Sequence, residues 1–77
     1  MTEYTIIREF LASEGTEDHE VEDSDELETF CDEDEARDKA VLLNTENEDQ
    51  NVRFCIRAET FRKGMFTGLY YIEHDEL

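Results

Sequence analysis

Proline is missing from this sequence and glycine occurs only three times, so neither a Pro-rich spacer nor a flexible Gly-rich linker accounts for any part of it. No apolar run approaches the roughly 20 residues that a helix needs to cross a bilayer. Residues 1–10 lack the basic start and the apolar segment of a secretory leader. The two cysteines, Cys31 and Cys55, are too few for a disulfide framework. Together these absences predict a cytoplasmic protein with reduced thiols, both packed as small core hydrophobes. Positive charge is the scarcest commodity: seven Lys and Arg stand against 23 Asp and Glu, a formal charge of −16. Repulsion excludes nucleic acid and anionic membrane as direct partners. Basic proteins and cations remain.

What is present argues for one folded domain spanning residues 1–77. A chain of this size buries only about 60% of the surface its unfolded form exposes, which leaves a thin core and little room for a catalytic cavity beneath a lid. The 38% hydrophobic and 39% charged content lies near the border with disorder. Five Phe, three Tyr and apolar runs at both ends of the chain place it on the folded side.

Tyr4–Leu11 is rich in aromatic and β-branched residues and reads as a first strand. The acidic stretch 14–28 has only Val21 and Leu27 as large apolar residues. A second strand from about His19 to Glu22, or somewhat later, and a charged loop are both compatible with it. Asp32 is a good helix N-cap, with Glu35 at capping-box spacing. Ala36, Ala40 and Leu43 then recur on one helical face, widened by Val41 and Leu42, and 44–51 ends the helix. Val52, Phe54, Ile56 and Ala58 alternate with Arg53, Cys55, Arg57 and Glu59 as a strand. Lys63-Gly64 is a hairpin turn, and 66–74 returns with Phe66, Tyr70 and Ile72 opposite Leu69 and Tyr71. The expected fold is α+β: a small antiparallel sheet of three to four strands with one helix packed on one face.

Charge is segregated as well as abundant. Thirteen acids and no bases lie between Glu14 and Glu35, and six of the seven bases lie between Arg37 and Lys63. The partner-facing residues expected from this are Glu14, Glu17, Asp18, Glu20, Glu22, Asp23, Asp25, Glu26 and Glu28, extended by Asp32, Glu33, Asp34 and Glu35. A charge run is ordinarily just a solvated face, but this one is dense for solubility alone. Carboxylates at alternate strand positions stand roughly 6.6 Å apart, and acids one helical turn apart stand at a similar spacing. That is a crude match to every second phosphate along a nucleic-acid strand. Such a surface competes for an Arg/Lys-lined channel. Adaptation to high salt also produces many acids and few Lys; the five Phe and the scarcity of Ala speak against it.

Catalytic and metal chemistry find little support. Asp23/Asp25 and Asp32/Asp34 have the Asp-x-Asp form, but the sixth loop position of an EF-hand must be Gly. Counting from Asp23 it is Glu28, and from Asp32 it is Arg37. Cys31 sits among acids that oppose thiolate formation, while Cys55 has no His near it in sequence. His19 and His74 are flanked by acids and are expected at the surface. Glycosidase chemistry needs two carboxyls in divergent environments within a cleft, and Gly15, Gly64 and Gly68 form no phosphate-binding spacing. The expectation is a non-enzyme without cofactor or metal.

With the acidic block 14–35 followed by a compact βα(ββ) remainder ending in Phe66-Thr-Gly-Leu-Tyr-Tyr-Ile72, the chain resembles the short acidic phage- and plasmid-borne inhibitors of bacterial defence, anti-CRISPR and anti-restriction proteins of the DNA-mimic type. The likeness is one of size and composition. It implies a stoichiometric inhibitor that binds a basic nucleic-acid-binding surface, such as that of a CRISPR effector or a restriction enzyme. The alternative is a non-inhibitory acidic interaction module or subunit, from a salt-adapted organism or pairing with another copy through the aromatic hairpin edge.

Overall fold

A computed structural model of the protein describes residues 1–12 and 21–77. Their order is β1 (Thr2–Leu11), β2 (Val21–Phe30), α1 (Glu33–Glu46), β3 (Val52–Arg62) and β4 (Met65–Ile72), closed by a short 3₁₀ turn at His74–Glu76. The strands form one antiparallel sheet in the order β2-β1-β3-β4, with α1 packed against it. The acidic stretch is thus a full ten-residue edge strand from Val21 onward. The long central strands, β1 and β3, carry half of the β-branched and aromatic residues, and the two outer strands could hardly be less alike.

One sheet face is covered by α1. Ala36 and Ala40, one turn apart and fully buried, let the helix approach Ile56 and Ile72, with Tyr4, Phe30 and Leu77 packed around them. Ile6 is also fully buried and lies directly opposite Ile56. The apolar stripe is narrower than its sequence implies, because Val41 and Leu42 are exposed. Asp32 caps the helix, its carboxylate accepting from the Asp34 N–H. Glu33, Asp34 and Glu35 fill the first turn, where they meet the positive end of the helix dipole.

Among the described residues no element covers the other face, yet Thr5, Ile7 and Cys55 are buried there. Arg53 reaches Glu9, and Arg57 reaches both Glu26 and Glu59. The aliphatic stems of such arginines cover apolar surface while their heads stay wet. Thr5 and Thr29 share a hydroxyl hydrogen bond across β1 and β2 at 2.9 Å.

The β3–β4 turn uses Lys63 and Gly64, both at positive φ, as a two-residue hairpin of right-handed twist requires. Just beyond it the register slips by one residue between Thr60 and Phe61. Thr67 is the extra residue, its hydroxyl meeting that of Thr60 at 3.0 Å. This bulge overturns the expected strict alternation of β4: Phe66 pairs with Phe61, edge to face at 6.0 Å, and not with the face of Tyr70 and Ile72. Cys55 is buried as expected, whereas Cys31 is exposed. Cys31 occupies the corner between β2 and α1, where the chain leaves the sheet.

Candidate functional site: an acidic edge and its groove

β2 has the sequence VEDSDELETF, poor in strand formers and rich in like charges. It forms because β1 offers partners for it. Arg8, directly opposite Asp25, donates Nε to Oδ1 at 3.0 Å and a second N–H to Oδ2. This fork-to-fork geometry is the strongest that a guanidinium and a carboxylate adopt. The hydrogen bond to Asp25 is the main reason the Arg8 pKa lies above its ordinary value. Arg8 also lies over the Phe10 ring, 5.1 Å from its centroid. Two bulges, between Ile6 and Ile7 and between Phe10 and Leu11, rotate the strand and divide its acids. Glu26 falls on the uncovered face with Arg57, whose pKa is raised chiefly by that hydrogen bond. Glu28 falls on the helix face, opposite Ile6.

The expected partner-facing residues therefore separate into three sets. Glu14, Glu17, Asp18 and Glu20 lie outside the described residues, as does His19. Asp25, Glu26 and Glu33 are held in ion pairs with Arg8, Arg57 and Arg37, and Asp32 is occupied as the helix cap. Glu22, Asp23, Glu28, Asp34 and Glu35 are exposed and form no ion pair among the described residues.

Between β2 and α1 runs an open groove of about 410 Å³, lined by Glu28, Phe30, Glu35, Asp38, Lys39 and Leu42. Three carboxylates and one ammonium surround an apolar floor made by Phe30 and Leu42. Phe30, Asp38, Lys39 and Leu42 lie outside the residues to which the charge run points. The helical spacing of 35, 38, 39 and 42 places them on one flank, so the groove wall was open to detection once β2 was known to lie beside it. A groove of this kind accepts a long basic side chain, alkyl stem on the floor and cationic head among carboxylates.

A second cluster lies on the uncovered face, where Glu9, Cys55 and Glu73 bring one ligand-type atom each within 4.8 Å. Burial, helped by Glu9, pushes the Cys55 thiol up to about 12, so it stays protonated. Glu9 is engaged by Arg53 at 3.1 Å. Glu73 is exposed and faces solvent. His74 is exposed, as expected. Among the described residues no helix is long and apolar enough to cross a membrane.

Compared with protein-family models, with curated proteins and with solved structures, the chain shows no match.

Proposed function

We propose that this chain is a stoichiometric inhibitor that docks onto a basic nucleic-acid-binding surface of another protein, presenting carboxylates where phosphates would otherwise sit. The observation that carries this reading is the set of exposed acids that form no ion pair among the described residues, on the outer strand and the start of α1: Glu22, Asp23 and Glu28 with Asp34 and Glu35. They are mounted on a strand and a helix, so their backbone spacing is fixed before binding and only their side chains are left to order in the complex. Asp25, Glu26 and Glu33 act differently under this reading. They fasten β2 and α1 in place and leave their neighbours to face outward.

The resemblance to small inhibitors of bacterial defence narrows the partner to an Arg/Lys-lined channel of a CRISPR effector or a restriction enzyme in the host cytoplasm. Such an inhibitor needs no cofactor, performs no reaction and touches neither nucleic acid nor membrane. Electrostatic association of this kind is fast and falls steeply with ionic strength.

The test is capture of the partner from bacterial lysate on the tagged chain, followed by a challenge with duplex DNA and a salt titration. DNA should displace the partner, and affinity should drop as salt rises. Reversing Glu22, Asp23, Glu28 and Glu35 to Lys should abolish binding, while Asp25→Asn should weaken it mainly through the loosened strand. Unchanged affinity in the fourfold reversal sinks the proposal.

A further inference from the structure

β4 is the outer strand on the side of the sheet away from β2. Its eight residues, MFTGLYYI, include no charge. Met65, Phe66, Leu69, Tyr70 and Tyr71 are all exposed, Met65 at 71% and Phe66 at 54%. An outer strand presents a row of backbone N–H and C=O groups ready to pair with another strand, and proteins ordinarily protect such edges with charge, Pro, bulges or short length. Here the one bulge, at Thr67, is the sole such device, and among the described residues the neutral, aromatic edge has no strand paired to its outer side in a chain of charge −16.

The two ends of β4 indicate what fits it. Arg62 and Lys63 precede the strand, are exposed, and form no ion pair among the described residues. Four of the other five bases are engaged: Arg8, Arg37, Arg53 and Arg57. Glu73, Asp75 and Glu76, all exposed, follow the strand. A strand with bases at its start and acids at its end complements itself when antiparallel and repels itself when parallel. We infer that two copies of this chain associate about a two-fold axis through antiparallel β4–β4 pairing centred near Leu69, forming one eight-stranded sheet with Arg62 and Lys63 of each copy beside the Glu73–Glu76 end of the other.

Charge explains why the contact falls here and nowhere else on the sheet. Copies meeting through β2 would oppose five acids to five. Pairing through β4 leaves the two β2 edges seven strand spacings apart, roughly 34 Å at about 4.8 Å each. That is several times the Debye length of about 8 Å at physiological ionic strength, so their repulsion is largely screened. The pairing is isologous and closed, as most homodimers are.

The experiment is sedimentation equilibrium of the full chain at micromolar concentration and physiological ionic strength, read against the 9.1 kDa mass of one copy. A two-copy mass is expected. R62E/K63E and, separately, E73K/D75K/E76K should each weaken the dimer by about tenfold or more, since exposed ion pairs become like-charge contacts. Combining all five reversals in one chain, so that acids at 62 and 63 face bases at 73, 75 and 76, should restore it. Circular dichroism of each variant checks that the fold is intact, which the exposure of all five positions favours. A one-copy mass for the unaltered chain overturns the inference. So does a two-copy mass indifferent both to these reversals and to Leu69→Lys. The Glu22, Asp23, Glu28 and Glu35 reversals should leave the dimer intact, so this inference and the inhibitor reading stand or fall separately.

Discussion

The two outer strands of this sheet show how one small fold solves the same problem in opposite ways. β2 carries five acids in ten residues and is tied down by arginines from β1 and β3. β4 carries no charge in eight residues and is tied down by Ile72 in the core and by a phenylalanine pair near the turn. The first edge is held by side chains reaching across the sheet, and the second by burial and by a tight turn. β2 therefore depends on bases that the sequence has in short supply, whereas β4 depends on apolar area. An edge held electrostatically is adjustable by salt and by charge reversal; an edge held by packing is not.

The strongest way to break this contrast lies where β4 stops short. Its pairing with β3 ends at Ile56–Ile72, leaving Phe54 without a strand on that side. Asn44 fills the gap: its Oδ1 accepts from the Phe54 N–H and its Nδ2 donates to the Phe54 carbonyl, both at 2.9 Å. A helix side chain thus continues the ladder. Asn44→Ala removes both bonds and should destabilise the protein by about 2 kcal/mol, read as a lowered urea midpoint with faster hydrogen exchange at Phe54. The exchange of β2 amides should follow only global unfolding.

A middling effect comes from the strand between the edges. The Cys55 thiol, shifted from an ordinary value of 9.0 to about 12, stays protonated in the fold, whereas the unfolded chain ionises it near 9. Between those values the unfolded state holds fewer protons, so stability is fully present below pH 9 and declines as pH rises towards 12. At pH 10 the loss should be on the order of 1 kcal/mol, and Cys55→Ala should remove that slope. Thiol reagents at neutral pH should modify exposed Cys31 quickly and Cys55 only on unfolding.

The smallest effect sharpens the β2 side. Arg57→Gln releases Glu26 and Glu59 together. Each is a partly exposed pair, worth roughly 0.2–1 kcal/mol, so the two together should cost about 1 kcal/mol and no more than about 2. The loss should shrink further at high salt and appear as faster exchange in β2, with β4 unaffected. A larger, salt-independent loss would show that the stem of Arg57, and not its charge, covers Thr5.

Much of this architecture was legible from residue patterns. The alternation of Val52, Phe54, Ile56 and Ala58, the Asp32 cap and the Lys63-Gly64 turn are local signals, and local signals persist in the fold. β2 was not legible in the same way, because its residues disfavour a strand and only Arg8, Thr5 and Arg57, distant in sequence, make one of it. Strand propensity is largely a statement about neighbours. The bulge at Thr67, which carries Phe66 to the other face, is a one-residue slip that alternation alone cannot reveal. Asn44 looked like a helix terminator and is a strand partner. For the candidate site, the density of acids was plain, but their division into fasteners and free carboxylates depends on which arginine lies across from which acid.

The charge on β2 also sets a limit on growth. A sheet lengthens only by adding strands to its margins, and a subunit with two adhesive margins adds copies without end, as in cross-β fibres. With copies paired through β4 as inferred above, the subunit has one adhesive margin and one that repels its own kind. A second copy joining at β4 would bring its own carboxylate-studded β2 as the new outer boundary, so polymerisation would terminate at the first addition. Under that inference the acids of Val21–Phe30 act as a stop signal written into the sheet, independent of anything they bind.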